Sequence, residues 1–203
     1  MSVARLAGVF ALVLVAASCA APQEAPRDQF YRLSVDFQGS SPQAPVLQGT
    51  LQVDRFLADG LLIERALVYS SVEAPDRLMQ YHYHYWTEAL PRMLQGQLVS
   101  YLRGANVAGT IVTTEQRADP DYSVGAKLRR MEQIVRPGNP LVALTMEFSL
   151  RRESDGKLML IKVYEVEREA PDRTMTGTVS AMNAAVSDVY AAFTRDLGIA
   201  AGG

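Results

Sequence analysis

Hydrophobic and polar residues alternate along several stretches of the chain, a pattern typical of half-buried β-strands. The clearest alternation covers residues 142–150, and an Asp155-Gly156 turn leads from it into 157–167, which predicts an antiparallel hairpin. The same alternation, or a short β-branched run, predicts further strands in the segments 30–37, 46–56, 63–69, 78–85, 107–114 and 122–135. The last of these is expected to bend near 129–132.

Two segments instead repeat apolar residues every three or four positions, which predicts amphipathic helices. The first covers 88–103, with Thr87 as its N-cap and Gly104 as its end, and the second covers 178–197 and ends at Gly198. Two such helices can bury their apolar stripes on one face of a sheet. The order strands, helix, strands, helix therefore predicts an α+β fold, a two-layer sandwich whose sheet is mostly antiparallel.

The chain begins with a short basic segment followed by 12 unbroken apolar residues from Leu6 to Ala17. A membrane-spanning helix needs roughly 20 such residues, so this run is typical of a secretory signal peptide. Small residues lead from it directly into Cys19, the single cysteine, and this arrangement resembles the bacterial lipobox. The alternative is an ordinary signal peptide that a cysteine follows by chance.

The lipobox resemblance predicts three parts of the chain: a lipoprotein signal peptide at 1–18, an acylated tether at 19–28 and a single α+β domain at 29–203. Cys19 would carry a diacylglyceryl group on its sulfur and an acyl chain on its nitrogen. The tether is polar and contains two prolines, so it has too few apolar groups to pack. Its ten residues would let the domain stand about 30 Å from a bilayer.

The composition of the chain excludes several classes of function. The chain has 20 lysine and arginine residues and 22 aspartate and glutamate residues, a net charge of −2, which argues against nucleic acid as a partner. One cysteine excludes an intrachain disulfide and any multi-cysteine metal site. Apart from the covalent lipid, no cofactor is expected.

An aromatic run precedes the first predicted helix. Perfect alternation would place Met79, Tyr81, Tyr83 and Tyr85 on one face of the strand, and Gln80, His82, His84 and Trp86 on the other. Because tyrosine combines apolar area with a polar tip, we predict an interaction surface made of Tyr81, Tyr83, Tyr85 and Trp86. The alternative is that these tyrosines line the entrance of a lipid cavity.

The two histidines raise the question of chemistry. His82 and His84 would lie about 6–7 Å apart on one strand face, a spacing that suits a metal site with Glu88 as a third ligand. The chain contains no other histidine and no serine in a G-x-S-x-G elbow. We therefore expect neither a metal site nor catalysis, and interpret both histidines as polar or interface residues.

A set of segments spread along the chain resembles the sequence pattern of a known family. It consists of the lipoprotein start, Phe30-Tyr31-Arg32-Leu33, Leu51-Gln52-Val53 before Gly60-Leu61-Leu62, Tyr83-His84-Tyr85-Trp86 before Pro91-Arg92-Met93-Leu94, the segment Leu128 to Glu132, and Ala181-Met182-Asn183-Ala184-Ala185. Together these resemble the ABC-type transport auxiliary lipoprotein family, the PqiC-like proteins. The resemblance extends over about 30–197.

The resemblance implies an accessory role in an MCE-type intermembrane lipid transport system. The implied partners are an MCE-type periplasmic substrate-binding protein and its ABC transporter, to which the lipoprotein would dock from the outer membrane, facing the periplasm. Ala20 fits this location, because in enteric bacteria an aspartate after the acylated cysteine marks inner-membrane retention. The chain has no phosphate-binding G-x-x-x-x-G-K-[ST] loop, so it is not the ATPase. A lipid-carrying periplasmic binding protein and an assembly factor for an outer-membrane protein remain alternatives, and homo-oligomerisation stays open.

Overall fold

The computed structural model describes residues 26–202, so the predicted signal peptide and Cys19 lie outside the described residues. Within that range the chain forms nine strands and two α-helices. Their bounds are β1 Gln29–Tyr31, β2 Leu47–Val53, β3 Leu57–Ala58, β4 Ala66–Ser71, β5 Ala74–Trp86, α1 Leu90–Gly104, β6 Ala108–Thr113, β7 Tyr122–Val135, β8 Leu141–Arg152, β9 Leu158–Glu169 and α2 Met175–Gly202. Short 3-10 turns at Gly60–Ile63 and Thr114–Gln116 connect some of them.

The 14-residue strand β7 organises the sheet. Along one edge it pairs with β8 in an antiparallel ladder, and β8 pairs in the same way with β9. Along its other edge β7 pairs in parallel with three short strands in turn, β2, β3 and β4. β6 extends the sheet beyond β2, while β5 and then β1 extend it beyond β4. The sheet is thus mixed: its longest ladders are antiparallel, and the pairings made by the shorter β1, β2 and β3 are parallel.

Both helices bury apolar side chains against this sheet. Helix α2 packs on β8 and β9, where Phe193 stacks on Phe148 with ring centroids 4.3 Å apart. Helix α1 lies against β2 and β6, and its Leu94 carbonyl accepts a 2.8 Å hydrogen bond from Tyr190 Oη of α2. One continuous core results, and the predicted α+β class with two helices is confirmed.

Several predicted elements match the structure closely. β7 has the predicted bounds, and a register shift between Leu128 and Arg130 produces the irregularity expected near 129–132. The β8–β9 hairpin forms around Gly156, whose φ of +69° favours glycine. The hairpin was predictable because β8 keeps its alternation over many residues and a turn signal follows it.

The first predicted strand is much shorter than expected. Only Gln29–Tyr31 enters the sheet, although Leu33 and Val35 are buried as the alternation predicts. Helix side chains replace a neighbouring strand here, because Ser34 N–H donates to Asn183 Oδ1 at 3.2 Å and Val35 N–H to Gln97 Oε1 at 2.8 Å. Alternation therefore predicted which side chains are buried, but not the partner of the backbone.

Of the three predicted signals for helix ends, Gly104 agrees with the structure, because α1 ends there, and the other two are wrong. Helix α1 follows Ala89, and the N–H of Thr87, its predicted N-cap, bonds to the Tyr31 carbonyl at 2.9 Å. Helix α2 continues through Gly198 to Gly202, because glycine inside a helix costs only about 1 kcal/mol and the residues after it are good helix formers. This helix also begins early, where Thr174 Oγ1 accepts a hydrogen bond from Gly177 N–H at 3.0 Å.

Neither helix in the described part of the chain has both the length and the apolar character needed to span a membrane.

Candidate interaction surface

The aromatic run lies on β5, near the edge of the sheet that β1 forms. β1 and β5 run parallel, with Phe30 opposite Tyr85 and Tyr31 opposite Trp86. On its other side β5 pairs with β4 in an antiparallel ladder. Side chains of three strands therefore surround the aromatic residues of β5.

A bulge in β5 decides which way these side chains point. Ala66 of β4 pairs with Tyr85 and Val68 pairs with Gln80, so two residues along β4 correspond to five along β5. Perfect alternation is lost between these positions. As a result Tyr81 contacts His84 edge-on, with ring centroids 5.5 Å apart. The prediction that Tyr81 lies on the opposite face from His84 is therefore wrong.

Tyr81 belongs to a hydrogen-bonded network beneath the surface. Its ring lies 4.4 Å from that of Tyr69, and its hydroxyl donates to Oε1 of Gln133 on β7. The amide nitrogen of Gln133 in turn donates to Thr178 Oγ1 of α2 at 2.8 Å. Burial, and secondarily the neighbouring Tyr69, raise the pKa of Tyr81 to about 12, so its phenol keeps its proton at neutral pH. Tyr81 thus joins β5 to the helical layer.

His84 is hydrogen-bonded to Tyr31 of β1. Tyr31 Oη donates to Gln29 Oε1 at 2.7 Å and lies 2.9 Å from His84 Nδ1. Which of the two groups donates in the second bond depends on the tautomer of His84. Burial lowers the pKa of His84 and raises the pKa of Tyr31, and both effects favour this neutral pair.

The histidines do not form the metal site that their spacing could have suggested. Among residues 26–202 the structure contains no group of three histidine, cysteine, aspartate or glutamate side chains able to hold a metal ion. His82 is exposed, and its ring lies 6.5 Å from that of Tyr83. His84 instead faces Tyr31 and Tyr81.

A second group of aromatic residues faces solvent. Phe30 is 54% exposed and Tyr83 43% exposed, and the ring of Phe30 lies 5.8 Å from that of Tyr85. Arg65 holds its guanidinium carbon 5.4 Å from the Phe30 ring centroid. The hydroxyl of Tyr85 bonds to the backbone carbonyl of residue 82, next to Tyr83. We call Phe30, Arg65, Tyr83 and Tyr85 the outer aromatic patch.

The predicted surface therefore changes in composition. Trp86 is only 1% exposed and belongs to the core, so its predicted place on an exposed surface is wrong. Tyr81 is half-buried in the network described above, which leaves Tyr83 and Tyr85. Phe30 and Arg65 were missed because strand pairing brings them there. The one signal in the sequence was that Phe30 is apolar but out of phase with Tyr31 and Leu33.

The surface depressions are lined by charged groups. A depression of about 850 Å³ lies between α1 and the segment after β6, where Arg92, Arg103 and Glu115 are among its lining residues. Arg55 bonds to Glu115 at 3.3 Å across it, and Arg103 donates to the Ile111 carbonyl at 2.6 Å. Phe56 and Val99 also line this depression, so its walls combine charged and apolar side chains.

The protein is thus a small α+β domain that exposes the outer aromatic patch. The chain belongs to the family of ABC-type transport auxiliary lipoprotein components, whose family model matches residues 31–192. The expected family membership is confirmed. It makes the chain a lipoprotein component of an ABC-type transport system and implies membrane attachment on the periplasmic side.

Solved structures show the same fold. A protein from Xanthomonas campestris superimposes with a TM-score of 0.73 at 17% identity, over 85% of this chain and 96% of that chain. A second, uncharacterized protein superimposes with a TM-score of 0.67 at 15% identity, over 84% of this chain and 99% of that chain. No curated protein matches the chain.

Proposed function

We propose that this protein is the periplasm-facing lipoprotein of an MCE-type intermembrane lipid transport system. Acylated Cys19 attaches it to the outer membrane, and its folded domain docks the transport assembly there. The observation that carries the proposal is the family match, which extends over nearly the whole folded domain, 31–192.

The anchor is tested by mass spectrometry of the mature protein from its native host. We expect the chain to begin at Cys19 and to carry three acyl chains, whereas Cys19→Ser lacks them because a hydroxyl replaces the acceptor thiol. Ala20→Ser serves as the matched control, since it keeps the thiol and should be acylated like the unaltered protein. An intact leader or a free thiol on the unaltered protein would refute the anchor.

The choice of membrane is tested by separating the membranes on a density gradient. In an enteric host we expect the unaltered protein in the outer-membrane fraction and Ala20→Asp in the inner-membrane fraction. Ala20→Ser again serves as the control and should remain with the outer membrane. Recovery of the unaltered protein with the inner membrane would contradict the proposed location.

The partner is tested by cross-linking in intact cells, followed by purification of the lipidated protein and identification of what is attached. We expect an MCE-type periplasmic protein together with subunits of an ABC transporter. A cross-link to an outer-membrane protein alone would favour an assembly factor. Co-purified lipid without a protein partner would favour a lipid carrier, and either result would overturn the docking role.

A further inference from the structure

We propose that the outer aromatic patch contacts the headgroup region of the membrane that holds the lipid anchor. The proposal rests on the acylation of Cys19 proposed above and adds to it a membrane-facing side of the domain. The occupant is a phospholipid bilayer surface, with phosphate groups next to Arg65 and the rings of Phe30, Tyr83 and Tyr85 at headgroup depth.

Chain length limits how far the patch can be from the anchor. Gln29, the first residue of β1, lies ten positions after Cys19, and a fully extended segment of that length reaches at most about 36 Å. Phe30 is the next residue in the same strand. β1 is also the terminal strand of the path β1-β5-β4-β7, so the tether joins the domain at the edge of the sheet that carries the patch.

The chemistry of the patch fits a lipid–water interface. Aromatic rings with one apolar and one polar end are enriched at the headgroup level of membrane proteins. Tyr83 is such a residue and is 43% exposed, while Phe30, which lies opposite Tyr85 on β1, exposes 54% of its surface. The side chain of Arg65 is held next to Phe30 by its Nε bond to the Trp86 carbonyl at 3.1 Å. A guanidinium held in this way is a suitable donor for lipid phosphate.

Because the tether already holds the domain near the membrane, a weak contact between the patch and the bilayer is sufficient to dock it. Through a short linker, a second binding site has an effective concentration in the millimolar range, so a patch with an affinity of that order would be docked much of the time. Two partly exposed rings and one cation can supply such an affinity, and a free domain with the same patch would not bind vesicles well. The patch therefore sets the orientation of the anchored domain, while the acyl chains supply the attachment.

The single cysteine makes a direct test possible. Once Cys19 is acylated its sulfur can no longer be labelled, so a cysteine introduced elsewhere becomes the one reactive thiol. The full lipidated chain carrying His82→Cys, next to the patch, is labelled with a fluorophore and reconstituted into vesicles of phosphatidylethanolamine and phosphatidylglycerol that contain a headgroup spin-labelled quencher lipid. Ile161→Cys is the matched control, because Ile161 is 60% exposed on β9, at the opposite edge of the sheet.

We expect strong quenching of the label at position 82 and weak quenching at position 161. Adding Phe30→Ser and Tyr83→Ser to the His82→Cys chain should lower the ratio of docked to undocked protein roughly tenfold, because two rings lose their apolar contact. Equal quenching at the two positions, or quenching unchanged by the ring substitutions, would overturn the proposal. Labelling of Cys19 in the otherwise unaltered chain would instead refute the anchor, so the two failures can be distinguished.

Discussion

Tyr190 joins the two helices through one buried polar atom. Its side chain is fully buried, and its hydroxyl donates to the Leu94 carbonyl at 2.8 Å. Burial raises the pKa of Tyr190 far above its ordinary value, so the hydroxyl always has a proton to donate. The ring also contacts Tyr101 and Phe148 edge-on. The same residue thus provides both packing and a directional bond between α1 and α2.

We expect Tyr190→Phe to lower the free energy of unfolding by about 1 kcal/mol, because the ring remains and one buried hydrogen bond is lost. Tyr83→Phe is the matched control; its hydroxyl is at the surface, and the change should stay within about 0.5 kcal/mol. Urea denaturation followed by circular dichroism measures both. Equal effects in the two variants would show that the bond to Leu94 contributes nothing.

His84 gives the domain a specific pH dependence. Because burial lowers its pKa below the ordinary 6.5, the unfolded chain takes up the proton first as the pH falls. The stability contributed by the neutral form is therefore complete above 6.5 and is lost as the pH falls from 6.5 towards the lowered pKa. Urea midpoints measured about one unit above and one unit below 6.5 should show this loss, and His84→Gln should reduce it. An identical pH profile in that variant would contradict the assignment.

At the level of secondary-structure elements, the sequence predicted the bounds of some strands, because those bounds depend on local hydrophobic periodicity. β8 keeps its alternation from 142 to 150, and the bounds of both β7 and β8 follow closely from the sequence. The faces of β5 could not be predicted, because its bulge depends on the register with β4, which the alternation of β5 alone does not contain. For the same reason Trp86 was misplaced on the surface and Phe30 was missed. Register between strands is a tertiary property that the alternation of one strand does not contain.

A second irregularity leads to a test at the same level. β2 has a register shift between Leu47 and Thr50, and Gly49 within it has a φ of +99°. A Cβ on Gly49 would lie 2.0 Å from Asp121 Oδ2, the atom that accepts the Thr50 N–H at 2.7 Å. The glycine therefore permits both the backbone conformation and the bond that fixes the loop before β7.

We expect Gly49→Ala to lower the free energy of unfolding by about 2–4 kcal/mol, from backbone strain together with the displaced Asp121. Gly138→Ala is the control for strain alone: its φ is +84°, and nothing lies within 4 Å of the added atom. It should cost about 1–2 kcal/mol. Thermal or urea unfolding gives the comparison, and a Gly49→Ala variant no less stable than Gly138→Ala would refute a role for the close approach.

For the whole molecule, the sheet and its two helices form one core, while the tether enters at the edge that carries the outer aromatic patch. The family could be predicted from the sequence because several of its scattered apolar positions, among them Leu33, Leu51 and Trp86, build this core. The composition of the surface could not, since it depends on which strands meet. In the proposed function, the anchor holds this edge near the outer membrane and leaves the rest of the domain to the transport assembly.

The most direct test of the proposed function is the movement of lipid between the two membranes of living cells. Isotope-labelled phospholipid transfer is measured in the native host with the unaltered protein, with Cys19→Ser, with Ala20→Ser and without the protein. We predict that transfer slows to the same extent in the Cys19→Ser and deletion strains and is normal with Ala20→Ser. Unchanged transfer in the deletion strain, in a host where no second copy of the system is present, would contradict a role in lipid transport.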